Sequence, residues 1–187
     1  MVNKNKKTEV SKAPLFSISV ITIFILLLTS SINSNAQNIS KHYTSTIQGN
    51  SMLYFIFPQT GFKNNELKST FKFDITYLTA NDSAFLNFSY FDKLNRTIDS
   101  VAFISANHKF SSGVKKLFIE TKGQKWHYRY SSKILFADLN LFFNQADKPK
   151  IIIYTREGSV ELNINSNNWK RQSDITNKIN TLIKYNH

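Results

Sequence analysis

The chain contains no cysteine, and that single absence closes several routes at once. Disulfides, cysteine zinc sites and thiol nucleophiles are excluded. So is the lipid anchoring that acylates a new N-terminal cysteine. Glycine is scarce as well, five in 187 residues, which leaves little backbone suited to cradling phosphate. Neither a Gly-rich phosphate loop nor a GxSxG nucleophile motif occurs. The histidines, His42, His108, His127 and His187, never fall within four residues of one another, so the metal-binding spacings HxH and HExxH are missing. Acids are few, 12 Asp and Glu against 24 Lys and Arg. They stand mostly alone at turns, and a catalytic carboxylate pair would have to be assembled by folding. No cofactor and no metal are expected.

One long hydrophobic run is present, and it lies at the start. Lys4, Lys6, Lys7 and Lys12 precede an apolar stretch from Leu15 to Thr29. That stretch is short of the ~20 apolar residues needed to span hydrocarbon. Ser34 and Ala36 then sit at −3 and −1 of a cleavage before Gln37, as signal peptidase requires. Residues 1–36 are therefore expected to be a cleavable secretory signal, and the protein an exported one of the periplasm or cell surface. An uncleaved anchor is the alternative, and only then would a membrane be a partner. Removing four Lys and one Glu with the leader leaves 151 residues with 20 basic against 11 acidic side chains. Such a balance favours anionic partners. The chain is also rich in Lys, Asn, Ile, Phe and Tyr, which an AT-rich genome writes on its own, so charge names no partner by itself.

Residues 37–50 are polar and read as a flexible lead-in to one globular β-rich domain over 51–187. Met52–Phe57 is a short apolar run ended by Pro58, the signature of a buried strand, and Pro58–Lys68 reads as a loop. Beyond it apolar residues recur at every second position. Phe71, Phe73, Ile75 and Tyr77 alternate with polar residues, as do Ala84, Leu86, Phe88 and Tyr90. A turn at Thr79–Asp82 puts both sets on one face, with Leu78 opposite Ser83. Leu78, Phe85 and Phe91 then point to the other face, either as an exposed apolar patch or beneath a second layer.

Ile98–Ser105 is the next strand. In LFIETKGQKWHYRY, a two-residue loop at Gly123-Gln124 pairs Lys122 with Lys125, Thr121 with Trp126, Ile119 with Tyr128 and Leu117 with Tyr130. A second hairpin turns at Glu157-Gly158 and sets Ile151, Ile153 and Thr155 beside Ile164, Leu162 and Val160. Ser132–Ala146 fits both a helix, with a Ser cap and Pro149 beyond, and a strand. The last segment is helical, with Ile175, Ile179, Leu182 and Ile183 in one stripe behind a Ser173 cap. Trp169 is placed to lock its approach to the sheet. The fold class expected is α+β, mostly β: an antiparallel meander of about eight strands, sandwich or half-barrel, with one or two helices in the C-terminal half.

The most functional-looking feature is a basic rib of Lys122, Lys125, His127 and Arg129, continued by Lys115, Lys116 and Lys133. Its cations and most of its aromatics fall on opposite faces. Nucleic acid, which needs both together, is therefore not expected. An anionic glycan or lipid headgroup of the envelope, or another envelope protein, fits better, and a solvated face is the plain alternative. Glu120 faces His127 in the hairpin register, the only acid and base in a single local pairing. The function expected is a non-enzymatic envelope binding or structural module. A β-cup carrying a small apolar ligand is one alternative, and a small hydrolase using Glu120 and His127 a second.

The Asn-Ala-Gln cleavage context and the AT-rich composition resemble small exported proteins of Bacteroidetes-type bacteria. That resemblance implies O-glycan acceptors where Asp-Ser precedes a small or apolar residue, at Ser83 and Ser100. Asn-x-Ser/Thr occurs at Asn38, Asn81, Asn87 and Asn95 and would count only on a eukaryotic secretory path.

Overall fold

Alternating apolar residues dictate strands, and strands dominate the computed structural model, which describes residues 39–57, 61–106, 108–144 and 149–185. The expected signal and its cleavage site lie outside the described residues. Among the described residues there are eleven strands: β1 (Tyr43–Gln48), β2 (Ser51–Ile56), β3 (Phe62–Asn64), β4 (Ser69–Leu78), β5 (Ser83–Asp92), β6 (Ile98–Ile104), β7 (Lys109–Gly113), β8 (Lys115–Lys122), β9 (Lys125–Leu135), β10 (Lys150–Thr155) and β11 (Gly158–Asn163). Two α-helices, α1 (Phe136–Phe143) and α2 (Ser166–Tyr185), fall in the C-terminal half, as expected. Neither is long and apolar enough to cross a membrane.

All strand pairs are antiparallel and form one nearly closed sheet in the order β7-β6-β10-β11-β3-β4-β5-β9-β8, with β1 and β2 running off β4. The order is not purely sequential. After β5 the chain leaves its neighbour, and β6 pairs with β10 and β7 instead. The central hairpin has the register that alternation predicts, Phe71 opposite Tyr90, Phe73 opposite Phe88 and Ile75 opposite Leu86.

Elsewhere the structure corrects local readings. Part of the expected lead-in is strand β1, paired along its length with β2. The expected loop 58–68 holds β3, and just before that strand Gly61 is required: a Cβ there would stand 2.8 Å from the Phe71 carbonyl oxygen. A bulge between Lys116 and Phe118 removes Leu117 from its place opposite Tyr130, which pairs with Lys116, and leaves Leu117 exposed. The last hairpin turns one residue earlier than predicted, so that Ile151 faces Leu162 and Ile153 faces Val160. The shift is by two in register, and the same side chains stay inside.

The ambiguous segment after Ser131 is both things in succession. It is strand as far as Leu135 and helix from Phe136, with no Ser cap. Helix α2 starts at Ser166, before Ser173, and the Asn165 side chain accepts from the Asn167 N–H at 2.9 Å. Ser173 instead donates to the carbonyl of Phe143 at the end of α1, and Asn177 donates to the same oxygen at 3.3 Å. A helix-end carbonyl without an intrahelical partner is thereby satisfied.

The core lies between the inner face of the sheet and the two helices. Trp169 stacks on Phe143 at 5.6 Å and meets Phe142 and Phe62 edge-on at 5.2 and 6.3 Å. Phe142 in turn meets Phe103 of β6 at 5.3 Å. Rings from β3, β6, α1 and α2 thus meet in one cluster.

Candidate functional site

Alternation sends the odd-numbered residues of β5 and β9 to the outer face, where four strands build cross-strand rows. Thr70, Phe91, His127 and Glu120 form one row, and Lys72, Ser89, Arg129 and Phe118 the next. Asp74, Asn87, Ser131 and Lys115 follow, then Thr76, Phe85 and Lys133.

Part of the expected basic rib is drawn into this array, where Arg129 and His127 each meet a carboxylate. Arg129 pairs with Asp74, and its Nη1 donates to Ser89 Oγ at 3.3 Å. His127 Nδ1 lies 2.9 Å from a Glu120 carboxylate oxygen. Lys125 reaches the carbonyl of Lys68. Of these four, only Lys122 is fully exposed, at the hairpin end opposite Lys125. His127, expected to face solvent, is 9% exposed. The Phe91 ring stacks on it at 4.3 Å, and Phe118 meets it edge-on at 5.2 Å. The structure adds a residue that the hairpin alone could not reveal: Ser89 Oγ lies 3.1 Å from His127 Nε2.

Free cationic charge lies further along the same face, at the seam where the sheet nearly closes. There β7 meets β9 through side chains. Ser112 Oγ donates to the Lys133 carbonyl at 2.9 Å, and Ser132 Oγ donates to the Gly113 carbonyl at 3.1 Å. A cleft of about 470 Å³ opens on the outer side, lined among others by Phe85, Asp99, Ser112, Lys115, Ser131 and Lys133. Phe85 is 47% exposed, so no second layer covers the outer face there. Among the described residues no ion pair engages Lys115 or Lys133. A second cleft of about 400 Å³ lies beside it, between Arg96, Ile98, Lys116, Ile119 and Tyr130, with Val114 common to both.

The two expected O-glycan acceptors differ in setting. Ser83 is buried and donates to Asp82 at 2.7 Å. Ser100 is half-buried within β6, between Tyr154 and Gly113 of its neighbours. Glycosyl transfer to Ser83 would have to precede folding. No group of three or more His, Cys, Asp or Glu side chains able to hold a metal occurs among the described residues. Comparison with protein families, with curated proteins and with solved structures finds no match to this chain.

Proposed function

We propose that the protein is an exported envelope module whose task is binding, and that its ligand is an anionic glycan held in the outer cleft at the β7–β9 seam. One observation carries this reading: a half-exposed aromatic ring, Phe85, stands directly opposite the unpaired cation Lys133 in a cleft that also holds Lys115. The hydrophobic face of a pyranose covers such a ring. The hydroxyls of Ser112 and Ser131 and the exposed Asp99 carboxylate are complementary to sugar hydroxyls, and the two lysines to a uronate or sulfate. The cleft is open and shallow, which suits a chain passing through it.

Calorimetric titration with uronate oligosaccharides and with their carboxyl-reduced, neutral counterparts tests this. The acidic sugars are expected to bind, the neutral ones at least about tenfold more weakly, and added salt to weaken the acidic complex. Phe85→Ala and a Lys115→Glu, Lys133→Glu pair should each cost about tenfold or more. Equal affinity for the neutral sugars, or no effect of either change, would remove the proposal.

A further inference from the structure

We infer that the outer sheet face carries a second, catalytic site: Ser89, His127 and Glu120 form a nucleophile, a base and an orienting acid for the hydrolysis of carboxylic esters. The connectivity is specific. Glu120 as a carboxylate only accepts hydrogen bonds, so at 2.9 Å it fixes the imidazole proton on Nδ1. That leaves the Nε2 lone pair facing the Ser89 hydroxyl at 3.1 Å. The ring cannot swing away, because Phe91 lies flat against one of its faces at 4.3 Å and Phe118 abuts it at 5.2 Å. Three side chains from three strands, β5, β9 and β8, are thus held in the order that acyl transfer uses. A purely structural cross-strand pair needs only the acid and the base.

The substrate class follows from what surrounds the serine. β5 is paired on both sides, with β4 and β9, so its backbone N–H groups lie in the ladder and offer no oxyanion hole. The Arg129 guanidinium takes that role, with Nη1 3.3 Å from Ser89 Oγ. A single side-chain donor group suits esters, whose leaving alkoxide departs readily, better than amides. Phe118, 43% exposed beside His127, gives the acyl chain an apolar rest.

In the first step a bond forms between Ser89 Oγ and the ester carbonyl carbon, and the hydroxyl proton passes to His127 Nε2. The carbonyl π pair moves onto oxygen beside Arg129. Collapse restores the carbonyl, breaks the bond to the alcohol oxygen and returns the proton from His127 to that alcohol. Water then repeats the sequence on the acyl-serine, giving the carboxylic acid and free Ser89. Glu120 keeps the imidazole oriented throughout.

The full chain, incubated with a fluorophosphonate probe, should gain one phosphonyl group on the Ser89 peptide with loss of fluoride. It should hydrolyse p-nitrophenyl butyrate. Ser89→Ala should abolish both, and His127→Ala should lower hydrolysis by about 10²–10⁴-fold. Glu120→Gln should lower the rate less and displace its pH profile. Because the chain has no cysteine, Ser89→Cys supplies a unique thiol whose alkylation by iodoacetamide reports activation by the imidazole without any substrate. That alkylation is expected to fall at least about tenfold when His127→Ala is added. Absence of probe on Ser89 in folded protein, hydrolysis surviving Ser89→Ala, or alkylation indifferent to His127 would each overturn the inference. Loss of sugar binding at the seam would not, since none of these readouts involves Phe85, Lys115 or Lys133.

Discussion

Asp92 is 1% exposed at the end of β5, and a carboxylate so placed must be surrounded by donors. It is. Arg96 Nε donates at 2.9 Å, the Leu94 N–H at 3.0 Å, and the Tyr90 phenol as well. Tyr128 closes the set by accepting from the Arg96 N–H at 2.7 Å and donating to the Leu94 carbonyl at 3.0 Å. These bonds turn the chain out of β5 and set the start of β6. Burial, the hydrogen bond to Asp92 and the Asp92 charge together hold the Tyr90 phenol well above its ordinary value of 10.0. Tyr128 and Tyr130 are also raised, chiefly by burial. The folded state therefore keeps protons that the unfolded chain releases near pH 10, so this stability is complete below pH 10 and lost as pH rises through the raised folded values. Thermal melts at about pH 9 and about pH 11 should show a lower midpoint at the higher pH. Tyrosinate absorbance from these residues should appear only with unfolding, and early titration would contradict the burial argument.

Among the elements, α2 places Trp169, Ile179 and Ile183 in the core. Trp169→Ala should lower the unfolding free energy by about 3–5 kcal/mol in urea titration, because its ring contacts Phe62, Phe142 and Phe143 together. A change under about 1 kcal/mol would mean that the helix is only laid against the sheet. This helix was legible in the sequence, but its buried stripe was legible only in part. Ile179 and Ile183 are buried as periodicity predicts, whereas Gln172, Thr176 and Asn180 share that stripe and carry no hydrophobic signal. Polar content also hid β1, whose residues are almost all exposed, and β7, whose sequence is KFSSG. β3 is only three residues long, too short for alternation to register. The central hairpin was readable because both of its strands alternate over ten residues. Site residues followed the same division. Glu120 and His127 belong to one hairpin and were paired from sequence, while Ser89 with His127 and Phe85 with Lys133 depend on the pairing of β5 with β9, to which no local pattern points.

At the level of the molecule, the sheet is sealed differently at its seam from everywhere else. Backbone ladders hold the other joins, whereas β7 meets β9 through the hydroxyls of Ser112 and Ser132. Each such bond contributes only about 1 kcal/mol. Ser112→Ala with Ser132→Ala should therefore raise amide exchange in β7 by about tenfold while β4 and β5 keep their protection. Uniform loss across the sheet would show that the seam is part of the global folding unit. The two clefts flank this join, so the part of the wall that bears the proposed glycan site is also the part held by side-chain bonds alone.

The join between the second and last quarters of the chain has a temporal meaning. Lys63 of β3 pairs with Asn163 of β11, and Phe62 meets Trp169. Of the early strands, β3 thus waits for a partner a hundred positions downstream, and such distant pairings slow folding. During synthesis the core cannot close until the final helix has left the ribosome. A polypeptide whose ring cluster lacks Trp169 until α2 has been made stays loose for most of its synthesis, and a truncation within α2 would keep it so.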